Sequence, residues 1–159
     1  MTESFTGVER EYHLSGKLKS EVFLNNGVRE GEYKHYHENG QICEIYNYIN
    51  GQIQGEYKTY YENGCESTNS LGQLYVICNY VNGKKQGEYK KYYQNRQVWV
   101  ICNYVNGQME GEYKSYYSNG QLLEICNYVN GKKHGEVNSY YENGQLCDIW
   151  NYVNGQKIE

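Results

Sequence analysis

Glycine recurs on a fixed frame in this chain, and the frame leaves little freedom in what it can fold into. Gly7, Gly31, Gly55, Gly87, Gly111 and Gly135 head six units of 24 residues, with an eight-residue insertion between Gly55 and Gly87. A second glycine follows nine residues later (Gly16, Gly40, Gly64, Gly120, Gly144) and a third follows after twenty (Gly27, Gly51, Gly83, Gly107, Gly131, Gly155). The remaining glycine, Gly72, closes the insertion. Regular self-similarity at this spacing means stacked supersecondary units, each burying its apolar side only against its neighbours.

The clearest unit runs from Gly111 to His134 and holds two Tyr- and β-branched-rich runs separated by Asn-Gly. Ten of the 18 glycines follow Asn, and Asn-Gly accepts the two positive φ angles of the type I′ turn that closes a tight hairpin. Turns every ten to fourteen residues are too frequent for helices. The spacing predicts an all-β fold: an elongated, twisted, single-layer antiparallel meander of six hairpin repeats, about twelve strands at ~4.8 Å each. Placing turns at Asn119-Gly120 and Asn130-Gly131 puts Tyr113, Tyr117, Leu122, Cys126 and Tyr128 on one face, the expected packed one. Glu112, Lys114, Tyr116, Leu123, Ile125, Asn127 and Val129 take the other. The same register sets Gly111 opposite Tyr128, suggesting a ring laid across bare backbone. Residues 1–6 read as a disordered tail, 7–158 as the repeat domain, and about 65–72 as the insertion.

A single layer buries little, which accounts for 21 tyrosines and no proline among 159 residues: a tyrosine ring packs while its hydroxyl stays wet. Mean hydropathy is −0.93, and no apolar run approaches the ~18 residues of a membrane span. The N-terminus carries no signal-like apolar core, so a soluble, cytoplasmic protein is expected. Net charge −4, with 15 Lys and Arg against 19 Asp and Glu, argues against nucleic acid, which needs a basic footprint.

At Tyr80-Val-Asn-Gly83-Lys-Lys-Gln-Gly87-Glu-Tyr89 and Tyr128-Val-Asn-Gly131-Lys-Lys-His-Gly135-Glu-Val137 the chain resembles the MORN repeat, in the longer variant found in bacterial and large-DNA-virus proteins. The resemblance covers residues 7 to 158. It departs from the eukaryotic form in using Tyr where Trp is common and in lacking the second closing glycine. It implies a sheet of stacked hairpins acting as a scaffold or adaptor, in some members dimeric through one end or bound to lipid, and in some bacterial members an antitoxin-like inhibitor of one partner. The Asn, Tyr, Lys and Ile richness also looks like a viral member.

Six cysteines suggest disulfides or metal, but spacing opposes both. Cys78, Cys102 and Cys126 sit at one repeat position, two strands or roughly 10 Å apart, beyond disulfide reach, and no Cys-x-x-Cys occurs. They read as small buried thiols. Cys43 and Cys147 are less certain, and Cys65 in the insertion is the expected exposed thiol. His13 and His37 stand where four later units have Tyr, as aromatic substitutes. No nucleophile elbow or phosphate-binding loop occurs, so no enzyme and no cofactor are expected.

Glu32, Glu56, Glu88, Glu112 and Glu136 beside Lys34, Lys58, Lys90 and Lys114 read as a row of weak surface ion pairs. Tyr36, Tyr60, Tyr92, Tyr116 and Tyr140 run through that row and mark a candidate binding strip for an unidentified protein. Asn95-Arg96 replaces Asn-Gly and drives Arg96 toward positive φ, at a cost of about 1 kcal/mol. With Trp99 and the insertion, Arg96 gives a second candidate patch. Lys84, Lys85, Lys132 and Lys133 follow Asn-Gly turns and are the candidate contacts for anionic membrane, as an alternative. The first unit carries Glu9, Arg10, Lys17, Lys19 and Glu21, a charged cap. The last exposes Leu146, Ile149, Trp150 and Tyr152, an apolar edge suited to homodimerisation.

Overall fold

The computed structural model describes residues 4–62 and 72–158, in two units, Met1–Lys84 and Lys85–Glu159. Every regular element among the described residues is a β-strand. In the first unit β1 (Gly7–Tyr12), β2 (Leu18–Asn25), β3 (Val28–Tyr36), β4 (Ile42–Ile49), β5 (Gln52–Tyr60) and β6 (Leu74–Val81) pair in chain order, all antiparallel. The two-residue β7 (Lys84–Lys85) falls at the division between the units. The second unit contains β8 (Gly87–Tyr92), β9 (Val98–Val105), β10 (Gln108–Met109), β11 (Gly111–Tyr116), β12 (Leu122–Val129), β13 (Lys132–Tyr140), β14 (Leu146–Val153) and β15 (Gln156–Ile158). Its order is β8-β9-β11-β12-β13-β14-β15, with β10 also on β9. The expected meander of hairpin repeats is therefore the observed fold. β10 and β11 are two halves of what in the sixth repeat is the single strand β13.

The Asn-Gly turns are of two kinds, where the sequence suggested one. At Asn26-Gly27, Asn50-Gly51, Asn82-Gly83, Asn106-Gly107, Asn130-Gly131 and Asn154-Gly155 both residues have positive φ, Asn near 50° and Gly between 73° and 86°, the requirement of type I′. At Asn39-Gly40, Asn119-Gly120 and Asn143-Gly144 only the glycine does. There the bonds Gly40 N–H to His37 O and His37 N–H to Gln41 O, both 2.9 Å, define a three-residue loop with glycine in the left-handed position. Arg96 occupies that position at φ 71°, and its loop keeps the bonds Arg96 N–H to Tyr93 O (3.0 Å) and Tyr93 N–H to Gln97 O (2.9 Å).

The expected register of β11 and β12 holds, with Gly111 opposite Tyr128 and Tyr113 opposite Cys126. Two bulges then modify the faces. Ser115 pairs with Glu124 but Tyr116 pairs with Leu122, so Leu123 is an extra residue and the alternation slips. Leu122 therefore joins the Tyr116 face and Leu123 the packed face, the reverse of the expectation. One repeat earlier this is visible directly: Val98 lies beside Ile101 and Tyr116, while Trp99 stacks on Tyr93.

The second bulge lies between repeats. Ile125 pairs with Asn138 and Asn127 with His134, so Gly135, Glu136 and Val137 together face Cys126. Gly135 has φ +79°, and a Cβ there would meet nothing within 4 Å; the same holds at Gly31, Gly55, Gly87 and Gly111. The expected ring over bare backbone is thus not what these glycines serve; they supply the left-handed conformation of the bulge. A ring does lie against glycine at Gly7, where a Cβ would stand 2.9 Å from Phe5.

Phe5 and its neighbour also correct the disordered-tail expectation for the end of residues 1–6. Gly27 N–H donates to Phe5 O (2.7 Å) and Asn26 N–H to Thr6 Oγ1 (2.9 Å), so this segment clamps the first type I′ turn as later repeats clamp theirs. Asn50 N–H to Glu30, Asn82 N–H to Gln54, Asn106 N–H to Gln86 and Asn130 N–H to Glu110, all 2.8–2.9 Å, are the equivalents.

The packed face is the expected one. Val22, Tyr46, Tyr48, Val76 and Cys78 are buried in the first unit and Cys102, Cys126 and Val137 in the second. Cys43 and Cys147 are half-buried, and all five described cysteines are free thiols. Cys65 lies outside the described residues. Burial, with Glu124 close by, pushes the Cys126 thiol up to about 12, leaving it protonated and inert at neutral pH.

Candidate functional site

On β11 the side chains alternate, so Tyr113 and Ser115 pack inward while Glu112, Lys114 and Tyr116 share the opposite face. Each lysine there pairs with the glutamate two residues before it: Lys34–Glu32 and Lys58–Glu56 at 2.5 Å, Lys90–Glu88 and Lys114–Glu112 at 2.6 Å. The row is thus self-neutralised in four repeats. The sixth has Asn138 instead, whose Nδ2 donates to Glu136 Oε1 at 2.7 Å, so an amide replaces the cation.

Tyr36, Tyr60, Tyr92, Tyr116 and Tyr140 are all half-buried. Burial, and the bond its O–H donates to Glu21 (2.9 Å), push the Tyr36 hydroxyl up to about 12; burial also raises Tyr60. A notch opens beside the bulge glycine Gly111 and Tyr116, and a second follows one repeat on. The first, about 440 Å³ and in the second unit, is lined by Glu88, Glu110, Glu112, Ile101, Asn103 and Tyr116, among others. The next, about 260 Å³, repeats the chemistry one unit on with Glu112, Glu136, Ile125, Asn127 and Asn138. Each notch therefore offers carboxylates on its rim, an amide, and an aliphatic floor.

A second column holds this face in place, and the sequence reading caught only half of it. His13 Nε2 donates to Tyr36 O (3.0 Å) and His37 Nε2 to Tyr60 O (3.1 Å), while the Tyr93 and Tyr117 hydroxyls donate to Tyr116 O and Tyr140 O, both at 2.8 Å. Histidine does substitute for tyrosine, but as a hydrogen-bond donor at the ring tip as well as an aromatic body. The signal was available: this column uses only aromatics with a polar tip, 23 residues before each strip tyrosine.

The remaining candidates are dispersed. Arg96 is exposed at a loop tip, and Trp99 faces the packed side, stacked on Tyr93 with ring centroids 5.1 Å apart and the Lys91 ammonium 3.7 Å above it. Neither joins the tyrosine strip; residues 65–71 of the insertion lie outside the described residues. The lysine pairs are split: Lys84 and Lys132 are exposed, while Lys85 sits over the Tyr89 and Tyr104 rings at 4.9 and 5.1 Å. Lys133 holds both Glu124 oxygens at 2.8 Å. At the C-terminal edge Leu146 and Ile149 are half exposed, but Trp150 and Tyr152 turn to the packed face, toward Val137 and Lys133. There β15 covers Asn151–Val153, and Lys157 Nζ stands 3.0 Å above the Trp150 ring. The expected open edge is thus confined to Leu146–Trp150. No group of three His, Cys, Asp or Glu able to hold a metal occurs among the described residues.

The sequence pattern of the MORN repeat variant matches residues 5–26, 29–50, 53–64, 85–106, 109–130 and 133–154. The chain belongs to the MORN repeat variant family. Its matched segments begin two residues before the glycine frame, at the residues that clamp the turns. No curated protein matches the chain. Among solved structures, a chain of the GtfA/B complex bound to UDP and GlcNAc is similar at 11% identity and a TM-score of 0.23, over 95% of this chain and 25% of that one. MORN repeats are a non-catalytic repeat type, generally protein- or membrane-binding scaffolds.

Proposed function

We propose that this MORN protein is a protein-binding adaptor whose recognition surface is the face carrying glutamate, lysine and tyrosine. The observation that supports it most is a pair of notches in successive repeats, each lined by glutamates, an asparagine and an isoleucine, the first of them beside half-buried Tyr116. Rigid aromatic rings set in a polar rim are the composition of protein recognition sites. The test is a chain with Tyr92, Tyr116 and Tyr140 all changed to Ala, checked for an unchanged β-sheet circular dichroism spectrum and used beside the parent to capture partners from the native host. Loss of a stoichiometric partner is expected; its retention would overturn the assignment of this face.

The lipid alternative loses support, because Lys85 and Lys133 are engaged by tyrosine rings and Glu124. Two remaining lysines are too few for stable anchoring to anionic lipid. Flotation with phosphatidylserine vesicles at physiological salt should leave the protein unbound. A second reading rests on the half-exposed Leu146 and Ile149, beside backbone of β14 beyond the reach of β15. We infer a homodimer through this edge. Sedimentation should show a concentration-dependent dimer that Ile149→Lys abolishes; a parent mass of 18.7 kDa at every concentration would remove the reading.

A further inference from the structure

The notches and tyrosines repeat with a pitch that selects among ligand backbones. Successive repeats lie two strands apart, about 9.6 Å. A polyproline-II segment returns to the same face every third residue, about 9.3 Å. An extended strand does so at roughly 6.7 or 13.4 Å, and a helix two turns on at about 10.5 Å. Across Tyr92, Tyr116 and Tyr140 the surface advances roughly 19 Å, against about 18.6 Å for six polyproline-II residues and roughly 21 Å for fourteen helical ones. The helix is out of register by the second interval, and the strand by the first.

Charge narrows the ligand further. Glu88, Glu110 and Glu112 line one notch and Glu112 and Glu136 the next; Lys90 pairs with Glu88, and Lys114, which also lines the first notch, with Glu112. Beyond these pairs each notch keeps one further carboxylate: Glu110 in the first, which accepts from Asn130 N–H, and Glu136 in the second, which accepts from Asn138 Nδ2. A basic side chain entering each would meet carboxylates and the amides of Asn103 or Asn127 over an isoleucine floor, its aliphatic stem on the apolar part. The chain has no proline, so it does not supply such a segment itself.

We propose that the tyrosine face of the second unit docks a proline-rich segment of another protein in the polyproline-II conformation, with Lys or Arg at every third position. Prolines lie against the tyrosine rings and the basic side chains enter the notches, the preformed helix limiting the entropy lost on binding. This rests on the reading of that face given under Proposed function and adds the chemistry of its partner.

The test uses the full chain and a fluorescent peptide of five Pro-Pro-Lys triplets, with two controls: a scrambled peptide of identical composition, and a helical peptide with lysine every seventh residue. Anisotropy at low and physiological salt should show the triplet peptide binding at least tenfold more tightly than either control. Tyr116→Ala should weaken it tenfold or more. Glu136→Gln should weaken it several-fold and flatten its salt dependence. Lys114→Gln should tighten it, since it removes a competing cation from Glu112; a purely structural lysine would give no gain. Equal binding of scrambled and triplet peptides, tighter binding of the helical one, or no binding at low salt would each overturn the inference. If the triplet peptide fails while the triple tyrosine variant still loses its captured partner, the polyproline-II ligand falls and the docking face stands. If that variant keeps its partner, the face itself is wrong.

Discussion

At one repeat position the packed face of the first unit carries the Tyr46 ring, and that of the second unit the small thiols of Cys102 and Cys126, as at Cys78, although all hang on the same backbone. In the first, the Tyr46 ring stacks between Tyr33 and Tyr57 with centroids 4.8 and 5.3 Å away, and its hydroxyl shares a 3.2 Å hydrogen bond with that of Tyr48. Arg29 Nη1 donates to the Tyr48 hydroxyl at 3.1 Å and the Tyr57 hydroxyl donates to Glu44. Burial pushes the Tyr46 and Tyr57 hydroxyls upward, so they remain donors. In the second, the place of Tyr46 is taken by Cys102, Cys126 and Trp150, with buried Ser115 and Val137 beside them. Such different side chains in one position mean that turns and bulges specify the fold, and the face adapts to them.

The largest effect that could break this comparison is chemical. If the thiols of the second unit replace tyrosine as buried filler, Cys126, held at about 12 by burial and Glu124, carries very little thiolate. At pH 8 it should react with a maleimide about a thousandfold more slowly in the folded chain than in urea. Rapid labelling of folded protein would mean that the second unit is not packed as the first is.

Energetically the two should separate as well. Tyr46→Ala removes a buried ring and strands a hydroxyl partner, and should lower unfolding free energy by about 3 kcal/mol. Cys126→Ala removes one small group and should cost about 1 kcal/mol. Urea titration measures both, and equal losses would contradict the division. The backbone, in contrast, should answer alike wherever it is touched. Gly111→Ala, at φ +82° with open space around it, should cost about 1–2 kcal/mol from conformation alone. Arg96→Gly relieves the same kind of strain and should stabilise by up to about 1 kcal/mol.

Much of this was legible beforehand because glycine and Asn-Gly mark geometry directly: the period, the hairpins, the register of Gly111 with Tyr128 and the buried thiols all follow. The bulge at Leu123 was not, since two adjacent leucines look identical to a counting of alternation. The two turn types share one dipeptide, yet a signal existed. Ser15-Gly16 and Asn95-Arg96 depart from Asn-Gly only in the series whose first residue stays at negative φ, where Asn is not demanded. The notches were invisible for the same reason as the bulge glycines' role: open space leaves no residue behind to be read. β15 went unrecognised because Gln156-Lys157-Ile158 has no apolar alternation, and only its equivalence to Lys132-Lys133-His134 announces a strand.

The smallest effect sharpens the comparison through pH. His35 lies opposite Glu44 on the packed face of the first unit, its ring 6.5 Å from that of His13. Burial lowers its pKa; Glu44 opposes this, while Lys19, His13 and His37 act with it. The folded chain thus binds the proton less well than the unfolded one, whose histidine titrates near 6.5. The stability His35 contributes is present above that value and declines as pH falls through it toward the lower folded pKa. The place of His35 is taken by Thr59 and Ser115 in other repeats, and neither titrates. His35→Thr should therefore leave the urea midpoint at pH 7.5 almost unchanged and reduce its fall between pH 7.5 and 5.5. An unaltered fall would assign the acid sensitivity to the carboxylates of both units and not to this one imidazole.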